Sequence, residues 1–227
     1  MAVTYLEAGR QALAEAMAAD PRVVALGEDL GRGGVFGQYK GLQQQFGPSR
    51  IIDTPISEAA IMGTAVGMAL VGRKPVVEMR FSDFALCAID ELINQAAKAR
   101  YMFGGQGRVP LVVREPIGMW RSSAAQHSQS LEAWYAHTPG LAVVCPATPA
   151  DNYALLKAAI AAGDPVVYME HKDLWGLEGE LSPEPVALGR ARIARAGHDV
   201  TVVTGRRRCT LRSPRPRRRR RTGCRRR

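Results

Sequence analysis

No apolar run in the 227 residues approaches the ~20 that a membrane-spanning helix requires. The opening residues, Met1-Ala2-Val3-Thr4-Tyr5-Leu6-Glu7, show neither the basic-then-apolar order of a secretory leader nor the Arg/Ser-rich character of a transit peptide. Cysteine is scarce. Cys87, Cys145, Cys209 and Cys224 stand at spacings that suggest neither a disulfide framework nor a zinc site, so a reducing cytoplasm is the expected setting. There is no G-x-x-x-x-G-K-[ST] loop, no G-x-S-x-G elbow and no H-E-x-x-H helix. Acidic residues are missing from the last 22 positions, which carry 13 of the 31 basic residues. The formal charge of +10 is therefore local. Without that tail, 18 basic residues face 21 acidic ones, a net of −3.

Helical and extended signals alternate through the remainder. Residues 4–18 are alanine-rich, with Leu6, Leu13 and Met17 on one helical face, and Asp20-Pro21 stops the helix. Short apolar runs follow at Val23–Leu26, Val76–Met79, Pro110–Val113, Leu141–Cys145 and Pro165–Met169. Helical stretches lie between them at about 57–72, 84–102 and 149–162. Continuous apolar strands separated by helices predict an α/β fold, a parallel sheet covered by helices on both faces. In such sheets ligands sit beyond the carboxyl ends of the strands. The body is expected to span residues 1–178. Residues 179–204 read as a linker and the first strand, Val200–Thr204, of an incomplete second unit, and the Arg-rich segment 205–227 cannot bury a core.

Several residues stand just after expected strands. Glu58 falls in the first turn of a helix with Ser57 as its N-cap, where a carboxylate complements the helix dipole whatever else it does. That helix carries Gly63 and Gly67 and ends at Gly72, a pattern that admits another backbone at close range. His127 sits in the polar loop Ala124–Ser130. It is either a hydrogen-bonded surface histidine or a group that gives and takes protons. Glu28-Asp29 follows the first apolar run, where acids also serve as caps or solvated turns. Phe81 and Phe84 flank Ser82-Asp83 and read first as core packing.

Together these segments resemble a known family. Gly27-Glu28-Asp29, Asp53-Thr54-Pro55-Ile56-Ser57-Glu58, Tyr101-Met102-Phe103-Gly104-Gly105, Gln126-His127-Ser128 and Pro139-Gly140-Leu141 resemble the β subunit of thiamine-diphosphate-dependent 2-oxo acid dehydrogenases. These are the E1 components of pyruvate, branched-chain 2-oxo acid and acetoin dehydrogenase complexes. The likeness runs in order from about residue 3 to residue 204. It implies a transketolase-like pyrimidine-binding domain. Glu58 matches the glutamate that hydrogen-bonds N1′ of the aminopyrimidine, a contact that favours the imino tautomer and so removal of the thiazolium C2 proton. Ile56 and Phe84 match apolar and aromatic residues beside the pyrimidine, and Glu28 an acid in a proton path near it. His127 matches a histidine that handles protons as the acyl group passes to lipoamide. Carbonyls of Leu111, Ala159, Ala162 and Asp164 match a potassium site found in some members. Mg2+ and the diphosphate belong to the α subunit's G-D-G…N signature, which this chain lacks. An α2β2 heterotetramer that works with a lipoyl-bearing E2 acyltransferase follows by analogy.

Two departures stand out. Arg80 occupies a strand-end position near the cofactor where relatives carry an uncharged residue, and either contacts a substrate carboxylate or points to solvent. The arginine tail replaces a C-terminal α/β domain. Three readings of it compete: a frameshift or truncation product, an inactive fragment's end, or an arm giving salt-dependent binding to nucleic acid. The abrupt start, two residues past the expected strand, and the lack of interleaved aromatics favour the first and make nucleic acid the weakest.

Overall fold

The computed structural model describes residues 2–182 and 184–205. The arginine tail and the competing readings of it lie outside the described residues. β1 (Val3–Thr4) leads into α1 (Tyr5–Ala19), which opens on a reciprocal cap. Glu7 N donates to Thr4 Oγ1 at 3.2 Å, and Thr4 N donates to Glu7 Oε2 at 3.0 Å, so two otherwise orphaned amides are satisfied. There follow β2 (Val23–Gly27), a short α2 (Leu42–Phe46), β3 (Ile51–Asp53), α3 (Glu58–Leu70) and β4 (Lys74–Glu78). The chain continues through α4 (Ser82–Ala85), α5 (Ala97–Met102), β5 (Val112–Ile117), α6 (Glu132–Ala136), β6 (Ala142–Val144), α7 (Pro149–Ala161), β7 (Val166–His171) and β8 (Glu178–Gly179).

Six strands form one parallel sheet in the order β3-β2-β4-β5-β7-β6. Alternation along each strand sends Leu26, Val77, Val113 and Val167 into one core with Ile61, Met62, Leu92 and Tyr135. Their neighbours Ala25, Val76, Val112 and Val166 enter the opposite core with Leu13, Met17, Leu156 and Ile160. Both faces are covered, as the apolar runs predict. Each fully buried Val or Leu contributes roughly 1.5–3 kcal/mol, and these two layers supply the main favourable term of the fold.

The structure departs from the sequence reading in identifiable places. The strand expected at Pro110–Val113 runs instead from Val112 to Ile117, because the charged pair Arg114-Glu115 continues it while fully buried. The three-residue β3 is too short to stand out as an apolar run. The helical stretch at 84–102 is broken: α4 and a 3-10 turn precede a wide turn at Glu91–Ala96, in which Ala97 N donates to the carbonyl of Leu92 five residues back. Ser57 takes the N-cap position of α3, but its hydroxyl makes no capping bond. β8 pairs antiparallel with β1, so ordered pairing reaches Gly179. No strand forms at Val200–Thr204, where Val200, Val202 and Val203 are 77%, 75% and 90% exposed.

Candidate functional site

The loops leaving four adjacent strands carry the candidate residues, and the sheet sets their order. Glu58 follows β3, Glu28 follows β2, Arg80 and Phe84 follow β4, and His127 follows β5. Parallel strands place all four loops along one carboxyl edge, the place where open α/β sheets bind ligands.

Glu58 is the first residue of α3 and is partly buried. The preceding residue, Ser57, lines a cavity of about 170 Å³ together with Leu26, Ile52, Thr54, Ala60 and Ile61, among others; Glu58 itself is not part of that lining. The Thr54 hydroxyl in that lining is buried without a hydrogen-bond partner. An orphaned donor in an apolar slot is a cost to the fold that a bound polar group would remove. Ile56 is 76% exposed, an apolar side chain left open by the described residues. Among the described residues, no backbone packs on the glycines of α3: a Cβ built at Gly67 would meet nothing within 4 Å, and at Gly63 only the Glu91 side chain.

Around the β4 and β5 loops an aromatic group forms. The His127 ring lies 4.8 Å from Phe81 and 5.2 Å from Phe84, edge to face with both, and Phe81 and Phe84 are 5.4 Å apart. Phe84 is therefore a neighbour of His127 as well as a packing residue, and remains partly exposed. Behind them Phe36 packs on Phe81, Trp120 and Trp175.

Arg80 is partly exposed and pairs with two acids of the β2 loop. Its Nη1 donates to Glu28 Oε2 at 3.1 Å and to Asp29 Oδ2 at 3.0 Å, which ties the β4 loop to the β2 loop. Glu28 is thus buried against a cation. At the opposite edge of the sheet, the Leu111 carbonyl accepts from Val166 N at 2.8 Å and the Ala159 carbonyl from Ala162 N at 3.1 Å. The Asp164 carboxylate is held by Arg100 Nε at 2.6 Å. A cation there would use the second lone pairs of these carbonyls and not the Asp164 side chain.

Residues 1–176 match the family described as transketolase, pyrimidine binding domain. The chain belongs to that family. As a transketolase-type pyrimidine-binding domain it is 45% identical over 207 residues to the acetoin:2,6-dichlorophenolindophenol oxidoreductase subunit beta of Cupriavidus necator, which covers 86% of this chain and 61% of the relative. It is also 45% identical over 206 residues to the 2-oxoisovalerate dehydrogenase subunit beta of Bacillus subtilis, covering 89% of this chain and 63% of the relative. The chain spans about three-fifths of the length of these relatives. The solved structure of a split-gene transketolase, an inactive β4 tetramer, superimposes with a TM-score of 0.64 at 24% identity, over 85% of this chain and 57% of that one, a likeness of fold.

The pyrimidine-binding domain contains polar groups that the sequence reading passed over. Arg114 donates through Nε and Nη2 to Glu170 at 2.8 and 2.9 Å, and Asn152 Nδ2 donates to Glu170 Oε1 at 3.0 Å. Glu78 accepts from Tyr39 Oη at 2.9 Å and Gln38 Nε2 at 3.1 Å. Burial pushes Glu78 up to about 7 against the opposing pull of Arg114. Glu115 is fully buried and burial raises it to about 8; the nearby Tyr135 hydroxyl lowers it and the Asp83 charge raises it. Neither the Glu115 oxygens nor the Tyr135 hydroxyl meets hydrogen-bond geometry. One signal pointed to these groups: Arg114, Glu115 and Glu170 are charged residues inside runs that are otherwise apolar.

Proposed function

We propose that this chain is the pyrimidine-binding half of a thiamine-diphosphate site in the E1 component of a 2-oxo acid dehydrogenase, a β subunit that acts with an α subunit. The observation that carries the reading is Glu58 in the first turn of α3, next in sequence to Ser57, which lines an apolar cavity with the orphaned Thr54 hydroxyl, on the same strand edge as Glu28, Phe84 and His127. The residues present fit the pyrimidine: an acid, the open side chain of Ile56 and the face of Phe84 are what an aminopyrimidine's polar edge and apolar faces require. When bound, thiamine diphosphate supplies the nucleophilic carbon and the electron sink for loss of CO2.

The chain's own part is to hold and to move protons. Glu58 would hold a proton against N1′, and Ile56 and Phe84 would fix the ring. Glu28, tied by Arg80, stands in line for proton passage from the same edge. His127 would serve the transfer of the acyl group to the lipoyl disulfide of an E2 acyltransferase, where its imidazole would deliver a proton to the sulfur set free as that disulfide is reduced. Ile56 and the glycine face of α3 are open, so the partner α subunit would close the site and supply Mg2+ and the diphosphate contacts, in an α2β2 assembly. A potassium ion held by carbonyls of Leu111, Ala159, Ala162 and Asp164 would brace the far end of the sheet. The names of the relatives favour acetoin or a branched-chain 2-oxo acid as substrate, and that of the pyruvate dehydrogenase E1 component subunit beta-1 of Arabidopsis thaliana, 45% identical over 209 residues, favours pyruvate.

The test is co-purification with the α partner followed by dye-coupled oxidation of pyruvate, branched-chain 2-oxo acids and acetoin. Turnover of one class that depends on added thiamine diphosphate is expected; an assembled pair that oxidises none of them contradicts the reading.

A further inference from the structure

We propose that Lys172 is a positioning residue for His127, its buried ammonium fixing the loop that carries the imidazole. Resting on the reading of His127 as the proton-handling group, the proposal deepens it. Lys172 and Arg114 are the two buried cations among the described residues. Arg114 is matched by the Glu170 carboxylate, whereas the Lys172 ammonium donates to the backbone carbonyl of His127 and lies 4.4 Å over the Phe81 ring. Phe81 in turn packs against the His127 ring. One cation therefore grips both the backbone of His127 and the aromatic wall of its side chain.

Burying an ammonium costs far more than burying a methylene chain of the same length. Desolvation pulls Lys172 below its ordinary value, with the charges of Asp83 and Asp173 opposing. The slot is not one that stability alone would fill with lysine. Asp83 also holds the far side of the loop: Gln129 Nε2 donates to its Oδ1 at 2.8 Å, while Gln129 O accepts from Gly118 N at 3.0 Å.

The loop between these anchors needs holding. Arg121, Ser122 and Ala124 have φ of 49°, 55° and 66°, and Ala124 has ψ of −173°, a region natural to glycine. Such backbone persists only where its surroundings fix it, and its cost is expected where geometry serves a reaction.

The test has two readouts. In the chain itself, with four histidines to assign, the His127 ring should show NMR contacts to Phe81 and Phe84 that vanish in Lys172→Met. Retention of those contacts overturns the proposal without reference to any activity. In the pair assembled with its α subunit, Lys172→Met should lower acyl transfer to a lipoyl domain about a hundredfold and leave dye-coupled oxidation within about twofold, the loss expected of a displaced catalytic group. The double variant with His127→Ala should be no slower than His127→Ala alone. Parallel loss in both half-reactions, or loss in neither, overturns the positioning role. Should Lys172→Met fail to fold, Asp83→Asn, which keeps the side chain's size and removes the charge acting on Lys172, is expected to give the same division between half-reactions; equal losses there overturn it as well.

Discussion

Glu115 shows how a single side chain sets a measurable property of the domain. Its carboxyl is fully buried between Asp83 and Tyr135, without a hydrogen bond, and burial raises it from the ordinary 4.5 to about 8. The folded chain thus keeps a proton that the unfolded chain gives up above pH 4.5. Its contribution is fully present below that value and is lost as pH rises toward about 8. Glu78, raised to about 7 chiefly by burial, acts in the same direction. Denaturant unfolding at pH 5 and pH 8.5 should therefore show the wild-type losing stability at the higher pH. Glu115→Gln should lose distinctly less. Equal losses in the two proteins would show that Glu115 is ionised in the fold.

At the scale of elements, what was legible followed from periodicity. α1, α3 and α7 and the apolar runs of β2, β4 and β7 were readable because one face, or every residue, of each is apolar. The second half of β5 was not, since Arg114 and Glu115 look like the start of a loop until Glu170 and Glu78 arrive from the neighbouring strands. Pairing across a sheet is a tertiary fact that a local pattern does not contain. The same holds for the site. Glu58 and His127 stand in segments whose likeness to a family could be seen, whereas Lys172 joins His127 across 45 residues of sequence. The strand network has its own consequence: Arg114→Met should cost roughly 3–5 kcal/mol by leaving buried carboxylates without their cation. Adding Glu170→Gln should recover part of that loss. A single variant as stable as wild-type in urea unfolding would remove Arg114 from the account of why β4, β5 and β7 stay in register.

In the proposed function the whole molecule is half of a site. Its sheet presents Glu58, Glu28, Phe84 and His127 along one edge, while Ile56, Val71, Tyr101 and Met102 are largely exposed on the same chain. Under the proposed function, a second surface and a flat heterocycle would complete the acid at the helix start, the orphaned Thr54 hydroxyl and the apolar slot. All of the proposed chemistry depends on Glu58 acting on that heterocycle. The most direct measurement is the turnover of Glu58→Gln in the pair assembled with the α subunit, beside wild-type and at saturating thiamine diphosphate. A fall of roughly a hundredfold or more, with assembly unchanged, is the predicted result; turnover equal to wild-type would contradict it.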